Sequence, residues 1–280
     1  MLESISAFID LKTILIVAMI FIPLERVVPL YAGQKVMRKR WLNDVFYLFF
    51  NSIPIWIGFV LLVGSLLVAS RFVVPEGLGN IVCAQPIWLQ TIEVVLVADT
   101  GVYLAHRAFH AIPFLWKFHA IHHSIEEMDW LAAHRVHPVD QIVTMTVSLL
   151  PIYALGFSST AIAIHTLIYH GQALLIHSNT RIEFGPFKWV LASPAFHHWH
   201  HANERQAYDK NFAAQLPFID ALAGTLYMPE RMPKAYGVDD PVPPLYHQQL
   251  VYPFKRAGSA AGNQLRGYAA VGTENPESEA

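Results

Sequence analysis

Histidine is the residue type whose placement in this chain could do chemistry. Most of the 15 histidines fall in three short boxes. These are His106-Arg107-Ala108-Phe109-His110, His119-Ala120-Ile121-His122-His123 and His197-His198-Trp199-His200-His201. On a helix, residues i, i+3 and i+4 share a face. His106 should then pair with His110, His119 with His122 and His123, and His197 with His200 and His201. Each box would deliver two or three imidazoles into a single site. Neutral imidazole is a good ligand for iron, zinc, copper or nickel.

The count bears on how many ions are held. One ion takes about four to six ligands, and a catalytic ion keeps a position open. These eight histidines therefore fit two metals better than one. His177 lies close to the same plane and is a ninth candidate. His170, seven residues earlier, is nearly on the same helical face but about 10 Å deeper by helix rise, so it ranks below His177. His198 is turned about 100° from His197 and is the doubtful neighbour. A lone histidine such as His165 or His247 reads as an ordinary polar residue. Three boxes together favour a metal over a polar surface or a proton sensor.

The elements that must position the boxes are apolar. Of 280 residues, 54% are hydrophobic and 14% charged, against about 25% charged in ordinary soluble domains; mean hydropathy is +0.36. Runs long enough to cross a bilayer, about 20 residues each, lie at 11–31, 43–70, 86–105, 139–156 and 158–178. The second, with Pro54 and Gly58 inside it, is expected to kink, tilt or split. The last two, joined by Gly156-Phe157-Ser158-Ser159, are read as two spans or a shallow hairpin. The fold class is therefore all-α: a multi-pass transmembrane bundle of about four to five spans or hairpins with a helical cap. MLESISAFID, with two acids and no lysine or arginine, reads as no cleavable signal.

Lys35, Arg38, Lys39 and Arg40 assign the first loop to the cytoplasm. That choice leaves only Lys12 and Arg71 of the 19 lysines and arginines outside. It also puts every histidine box on the cytoplasmic face, although no histidine was used to make it. The domains read as membrane spans over 1–85, a catalytic domain over 86–256 and a disordered tail over 257–280. Net charge of -2 gives no case for nucleic acid. One cysteine, Cys83, excludes an internal disulfide framework and any Cys-rich metal cluster.

The boxes HRAFH, HAIHH and HHWHH, in that order around two apolar segments, resemble those of the fatty acid hydroxylase and sterol desaturase superfamily. The flanking text VADTGVYLAHRAFH, LWKFHAIHHS, AAHRVHPVD and SPAFHHWHH is similar too, as is DKNFAAQLPFIDALAGTLYMP. The likeness runs from about Asp99 to Pro229. It departs at Ile219-Asp220 and Ala223-Gly224, which touch packing more than ligation. It implies an oxidoreductase with a non-haem di-iron centre, O2 as co-substrate, a lipid substrate and an external electron-transfer protein. His106, His110, His119, His122, His123, His177, His197, His200 and His201 match the family's ligand positions, with His198 at a variable one. The membrane reads as a bacterial inner membrane ahead of the endoplasmic reticulum. Sterol, fatty acid, sphingolipid, alkylglycerol and carotenoid all stay open, as does hydroxylation against desaturation.

Around the boxes, Asp99 is an intramembrane carboxylate, costly and so expected to act; it is read as accepting the free N–H of a ligand histidine. Arg135, His137 and Asp140 would brace the site or meet lipid headgroups. Asn203, Asp209 and Asn211 read as half structural. Glu25 is expected to pair with Arg26, and Trp116, Trp130, Trp189 and Trp199 to form an interfacial belt. Two rival classes remain. A membrane zinc hydrolase would need an H-E-x-x-H box, which HRAFH lacks. A metal transporter would place carboxylates along a path at mid-membrane.

Overall fold

The computed structural model describes residues 11–255, and the tail expected at 257–280 lies outside them. The longer helices are α1 (Leu11–Val27), α2 (Trp41–Phe50), α3 (Ser52–Ser70), α4 (Glu76–Cys83) and α5 (Ile87–Ala111). They are followed by α6 (Pro113–His123), α7 (Pro138–Ala154), α8 (Ser159–His177) and α9 (Pro194–His200). Two short helices, α10 (Phe218–Ala223) and α11 (Tyr246–Val251), belong to the polar C-terminal part. Among the described residues there is no strand; pairing is limited to two isolated bridges, Pro29 to Thr180 and Ala202 to Tyr236.

Local chemistry sets several of these boundaries. The long second run divides at Asn51 into α2 and α3, because Pro54 lacks an N–H and its ring crowds the carbonyl one turn back. Asn51 turns its side-chain amide to the Val136 carbonyl, 2.7 Å away. Pro113, Pro138 and Pro194 each open a helix, the position where a missing N–H costs nothing. Ser158 and Ser193 cap α8 and α9 through their side-chain oxygens.

The bundle is built on α5, which packs against α6, α7 and α8, while α3 packs on α7. Gly101 is where α5 meets α7 most closely. A Cβ there would lie 2.5 Å from the Ser148 Cα and 2.9 Å from the Val147 carbonyl oxygen. Small residues at such a crossing let two backbones approach. One apolar core gathers Val82, Val94, Ala98, Ile152, Phe157 and Ala161; a second, beside the histidines, gathers Tyr103, Ile176, Ala192, Phe196, Phe212 and Ala213.

The outer surface is apolar. Leu61 and Val68 on α3, Met19 on α1 and Leu167 on α8 are more than half exposed. Two of the described helices, α3 and α5, are long and apolar enough to cross a membrane. The other expected runs appear as α1 and α7, 17 residues each, and as α8, which has 19 but carries three histidines. The Gly101 contact makes a simple test. Gly101→Ala should force α5 and α7 apart and cost about 1–3 kcal/mol, seen as a lowered Tm in detergent; an unchanged Tm would contradict the close crossing.

Candidate metal centre

All nine histidines singled out above converge. His106 and His110 come from the end of α5, His119, His122 and His123 from α6, His177 from the end of α8, and His197, His200 and His201 from α9 and its C-cap. They fall into two groups whose ring nitrogens lie within 4.8 Å of one another: His106, His110, His119, His123 and His200, and His122, His177, His197 and His201. The groups abut, with the His123 and His201 rings stacked at 4.5 Å. Each box was expected to serve a single site. Instead the i, i+4 pairs stay together while the i+3 member, His122 or His200, crosses to the other group. Residues at i+3 and i+4 diverge by about 100° around a helix, enough to straddle two centres.

The direction of five of these rings is set from behind. His106 Nδ1 lies 2.7 Å from the Phe212 carbonyl, His122 Nδ1 3.0 Å from that of Arg135, and His200 Nδ1 2.7 Å from that of Lys210. His177 Nδ1 is 2.7 Å from the Ala173 carbonyl, and His119 Nδ1 is 2.7 Å from the Asp140 carboxylate. Carbonyls and carboxylates only accept, so each of these imidazoles carries its hydrogen on Nδ1 and a lone pair on Nε2. The Nε2 atoms nevertheless meet head-on: His106 to His119 at 2.8 Å, His123 to His200 at 2.9 Å and His177 to His122 at 3.2 Å. For the first and last of these pairs both partners present lone pairs, so the contact is repulsive until a cation lies between them.

Protons are a poor cation here. Burial pushes His122 down to about 3, against the backbone bond from Arg135 that raises it. Burial likewise holds His119, His123, His197, His200 and His201 well below the ordinary imidazole value, with neighbouring rings adding to the shift. The carboxyl ends of α5, α6, α8 and α9 also converge, and helix C-termini favour positive charge. Nine neutral nitrogen donors in this field suit borderline divalent metals. Among the described residues, no carboxylate joins either group.

The supporting residues differ from the sequence reading in several places. Asp99 does not reach a histidine: its carboxylate accepts the backbone N–H groups of Ala214, Gln215 and Leu216 at 2.9, 3.0 and 2.7 Å. A helix-borne acid cannot turn toward His106 while three amides hold it elsewhere. Glu25 accepts from the backbone of Trp130 and Asn179 rather than pairing with Arg26, and Arg26 donates to the Gln34 carbonyl. Trp199 and Trp130 are buried, not an interfacial belt; Trp199 donates to the Arg231 carbonyl and Trp130 stacks near Phe21. Arg135 braces His122 through its carbonyl while its guanidinium meets buried Asp44, which also holds Arg38. His137 caps α7 and contacts the Leu250 carbonyl.

His198 turns away, its ring between the Tyr236 hydroxyl and the Ser178 carbonyl, and His170 stays on its own helix against Thr166. Sequence reasoning missed Asp220 and the carbonyls of Lys210 and Phe212; a main-chain acceptor leaves no mark in side-chain spacing. A cavity of about 140 Å³ is lined by His110, His123 and His200 together with Trp116, Asn203 and Asp209. It reaches the five-histidine group alone. Asp209, at φ 57°, places its carboxylate 3.3 Å from His110 Nδ1.

Two outcomes are expected. Asp140→Asn removes the charge that raises the donor strength of His119 and should weaken metal binding about 10–100-fold, measured by competition with a chelator; unchanged affinity would detach Asp140 from the centre. In chelator-treated protein, the unfolded chain takes up histidine protons near pH 6.5 while the folded one resists them. Stability should be full above that pH and fall below it, by about 1 kcal/mol per buried histidine between pH 6.5 and 5.5. A Tm flat across this window would contradict burial of neutral imidazoles.

Comparison with known proteins fits the geometry. Residues 91–225 match the fatty acid hydroxylase family, a segment that contains all nine histidines. The chain is 30% identical over 175 residues to the ornithine lipid hydroxylase OlsE of Rhizobium tropici, covering 61% of this chain and 53% of that protein. It is 31% identical over 147 residues to the alkylglycerol monooxygenase of Homo sapiens, covering 52% and 32% respectively. It is 29% identical over 143 residues to the very-long-chain aldehyde decarbonylase GL1-1 of Oryza sativa subsp. indica, covering 47% and 22%. The chain thus spans about half or less of the length of these curated relatives. No solved structure matches it. With the box order, the ring geometry and the matched segment in agreement, residues 91–225 of the chain form a fatty acid hydroxylase domain.

Proposed function

We propose that this protein is a membrane-bound oxidoreductase that holds two iron ions and oxidises a C–H bond of a lipid with O2. One observation carries the reading: nine imidazoles in two abutting groups, eight of them buried and His110 partly so, with the Nε2 lone pairs of His106 and His119, and of His122 and His177, facing one another at hydrogen-bond distance. His106, His110, His119, His123 and His200 would hold one ion, and His122, His177, His197 and His201 the other. Iron, rather than zinc, follows from the fatty acid hydroxylase domain. When bound, the two irons supply the reductive activation of O2, with one oxygen atom going to the substrate carbon and the other to water at the expense of two electrons and two protons.

The chain's own part is placement and protection. Buried Phe109 packs against His119, and buried Phe212 against His106, His110 and His200, shielding that side of the centre from water, and the Nδ1 partners fix every ring plane they touch. The cavity beside Trp116 and Asp209 gives a way in to the five-histidine group. The apolar outer faces of α1, α3 and α8 suit a bilayer, in which the substrate keeps its apolar body. Residues 1–85 supply spans, and 86–256 the catalytic domain, with the centre on the cytoplasmic side by the charge rule. Electrons come from a separate electron-transfer protein. The names of two relatives, a lipid hydroxylase and a monooxygenase, favour hydroxylation over desaturation.

A hydrolase or a transporter finds less support. A zinc hydrolase uses a free carboxylate base by the metal, and the two acids beside the centre, Asp140 and Asp209, face the Nδ1 atoms of His119 and His110. A transporter needs acids along a path, and Asp99 is committed to backbone amides. Purified protein should contain two irons per chain and, with a reductant, add one oxygen atom to a membrane lipid, read by mass spectrometry. His122→Ala and His200→Ala should each lower the iron content and abolish that gain. One zinc with hydrolysis, metal flux without turnover, or full iron content in both variants would overturn the proposal.

A further inference from the structure

The histidines of the two groups are braced by different parts of the chain. Within the five-histidine group, His110 meets Asp209, His200 the Lys210 carbonyl and His106 the Phe212 carbonyl. One stretch of four residues thus backs three of the five rings, and it backs none of the other four. In the second group, His122 rests on Arg135 and His177 on its own helix. The stretch is unusual: Asp209 and Asn211 both sit at positive φ, 57° and 59°, a left-handed conformation uncommon outside glycine that aspartate and asparagine adopt more readily than other residues.

Two buried carboxylates hold residues 212–216, the segment that starts at Phe212 and continues that stretch. Asp220 accepts the N–H groups of Phe212 and Ala213 at 2.8 and 2.9 Å. Asp99 accepts those of Ala214, Gln215 and Leu216. Five consecutive amides are therefore gripped by two acids, and amide bonds to a carboxylate are among the stronger hydrogen bonds. Asp99 also lies on α5, the helix that carries His106 and His110. The path from Asp99 through residues 212–216 to the Phe212 carbonyl, His106 and back to α5 is a closed ring.

We infer that Asp99 and Asp220 are positioning residues for the five-histidine metal site alone, acting through the backbone of residues 212–216. The inference rests on the metal reading given above. It assigns the intramembrane acid a task at a distance, orientation of one of two metal sites, in place of direct contact with a ligand. Asparagine at either position keeps the shape but presents an N–H₂ to backbone donors, so the grip loosens.

Cobalt(II) titration of the full chain in detergent, followed by visible absorption and by metal counting after gel filtration, tests this. Wild-type protein should bind two equivalents; fewer would sink the metal reading itself. Asp99→Asn and Asp220→Asn should each keep one equivalent tight and weaken the other about 10–100-fold. Asp99→Glu, which keeps the charge, should recover part of it. Adding His106→Ala to Asp99→Asn should weaken that same equivalent further and leave the tight one untouched, whereas adding His177→Ala should remove the remaining tight equivalent. Loss of both equivalents in parallel, as general misfolding would give, or retention of both, would overturn the inference.

Discussion

Nine imidazoles packed with their lone pairs converging is the constraint around which the molecule is organised. Where both partners carry their hydrogen on Nδ1, as in His106 with His119 and His122 with His177, the inward nitrogens repel, and burial disfavours the protons that could relieve it. A cation between the rings reverses the sign of the interaction. The fold must therefore hold an arrangement that is unfavourable by itself and becomes favourable on metal binding, as is general for sites whose ligands are preorganised.

Preorganisation falls largely on the main chain. Phe212, Lys210, Arg135 and Ala173 offer carbonyls, and Asp140 a carboxylate, each fixing one Nδ1. Carbonyls in loops are free for this work because no helix uses them, which explains why so much of the centre is braced by irregular backbone after α9. Irregular backbone needs its own partners when buried. Asp99, Asp220 and Asn211 provide them, and the Arg38, Asp44, Asp129 and Arg135 set does the same for the 129–135 turn. The polar residues nearest the centre thus answer two demands, satisfying buried amides and aiming rings.

The helices have a different task. They carry apolar faces outward, where α3 in particular has little of itself buried, and meet inward through small residues such as Gly101 and Ser148. Four of them end at the same level, so their carboxyl ends and their last-turn histidines arrive together. Under the proposed reading, the meeting of an apolar-faced bundle with a polar, loop-braced centre places the chemistry at the end of the apolar layer. An apolar substrate would not have to leave that layer to reach it.

The histidine spacing pointed to eight of the nine residues that gather, because i, i+3 and i+4 positions share a helical side whatever the helix packs against, while His177 was placed by its position at the end of an apolar run. Apolar run lengths likewise fixed an all-helical architecture, and Pro54 marked the break before α3. The partition into five and four did not follow, since 100° of divergence between i+3 and i+4 is resolved only by where four helices cross. Nor did the role of Asp99: a buried acid must find donors, but three amides more than a hundred residues away could be identified only once the chain had folded back upon α5. Glu25 and Trp199 were misplaced for the same reason, as each is satisfied by distant backbone. Side-chain periodicity is local and survives in the sequence, whereas main-chain acceptors are identical at every residue and acquire a role only from tertiary contact.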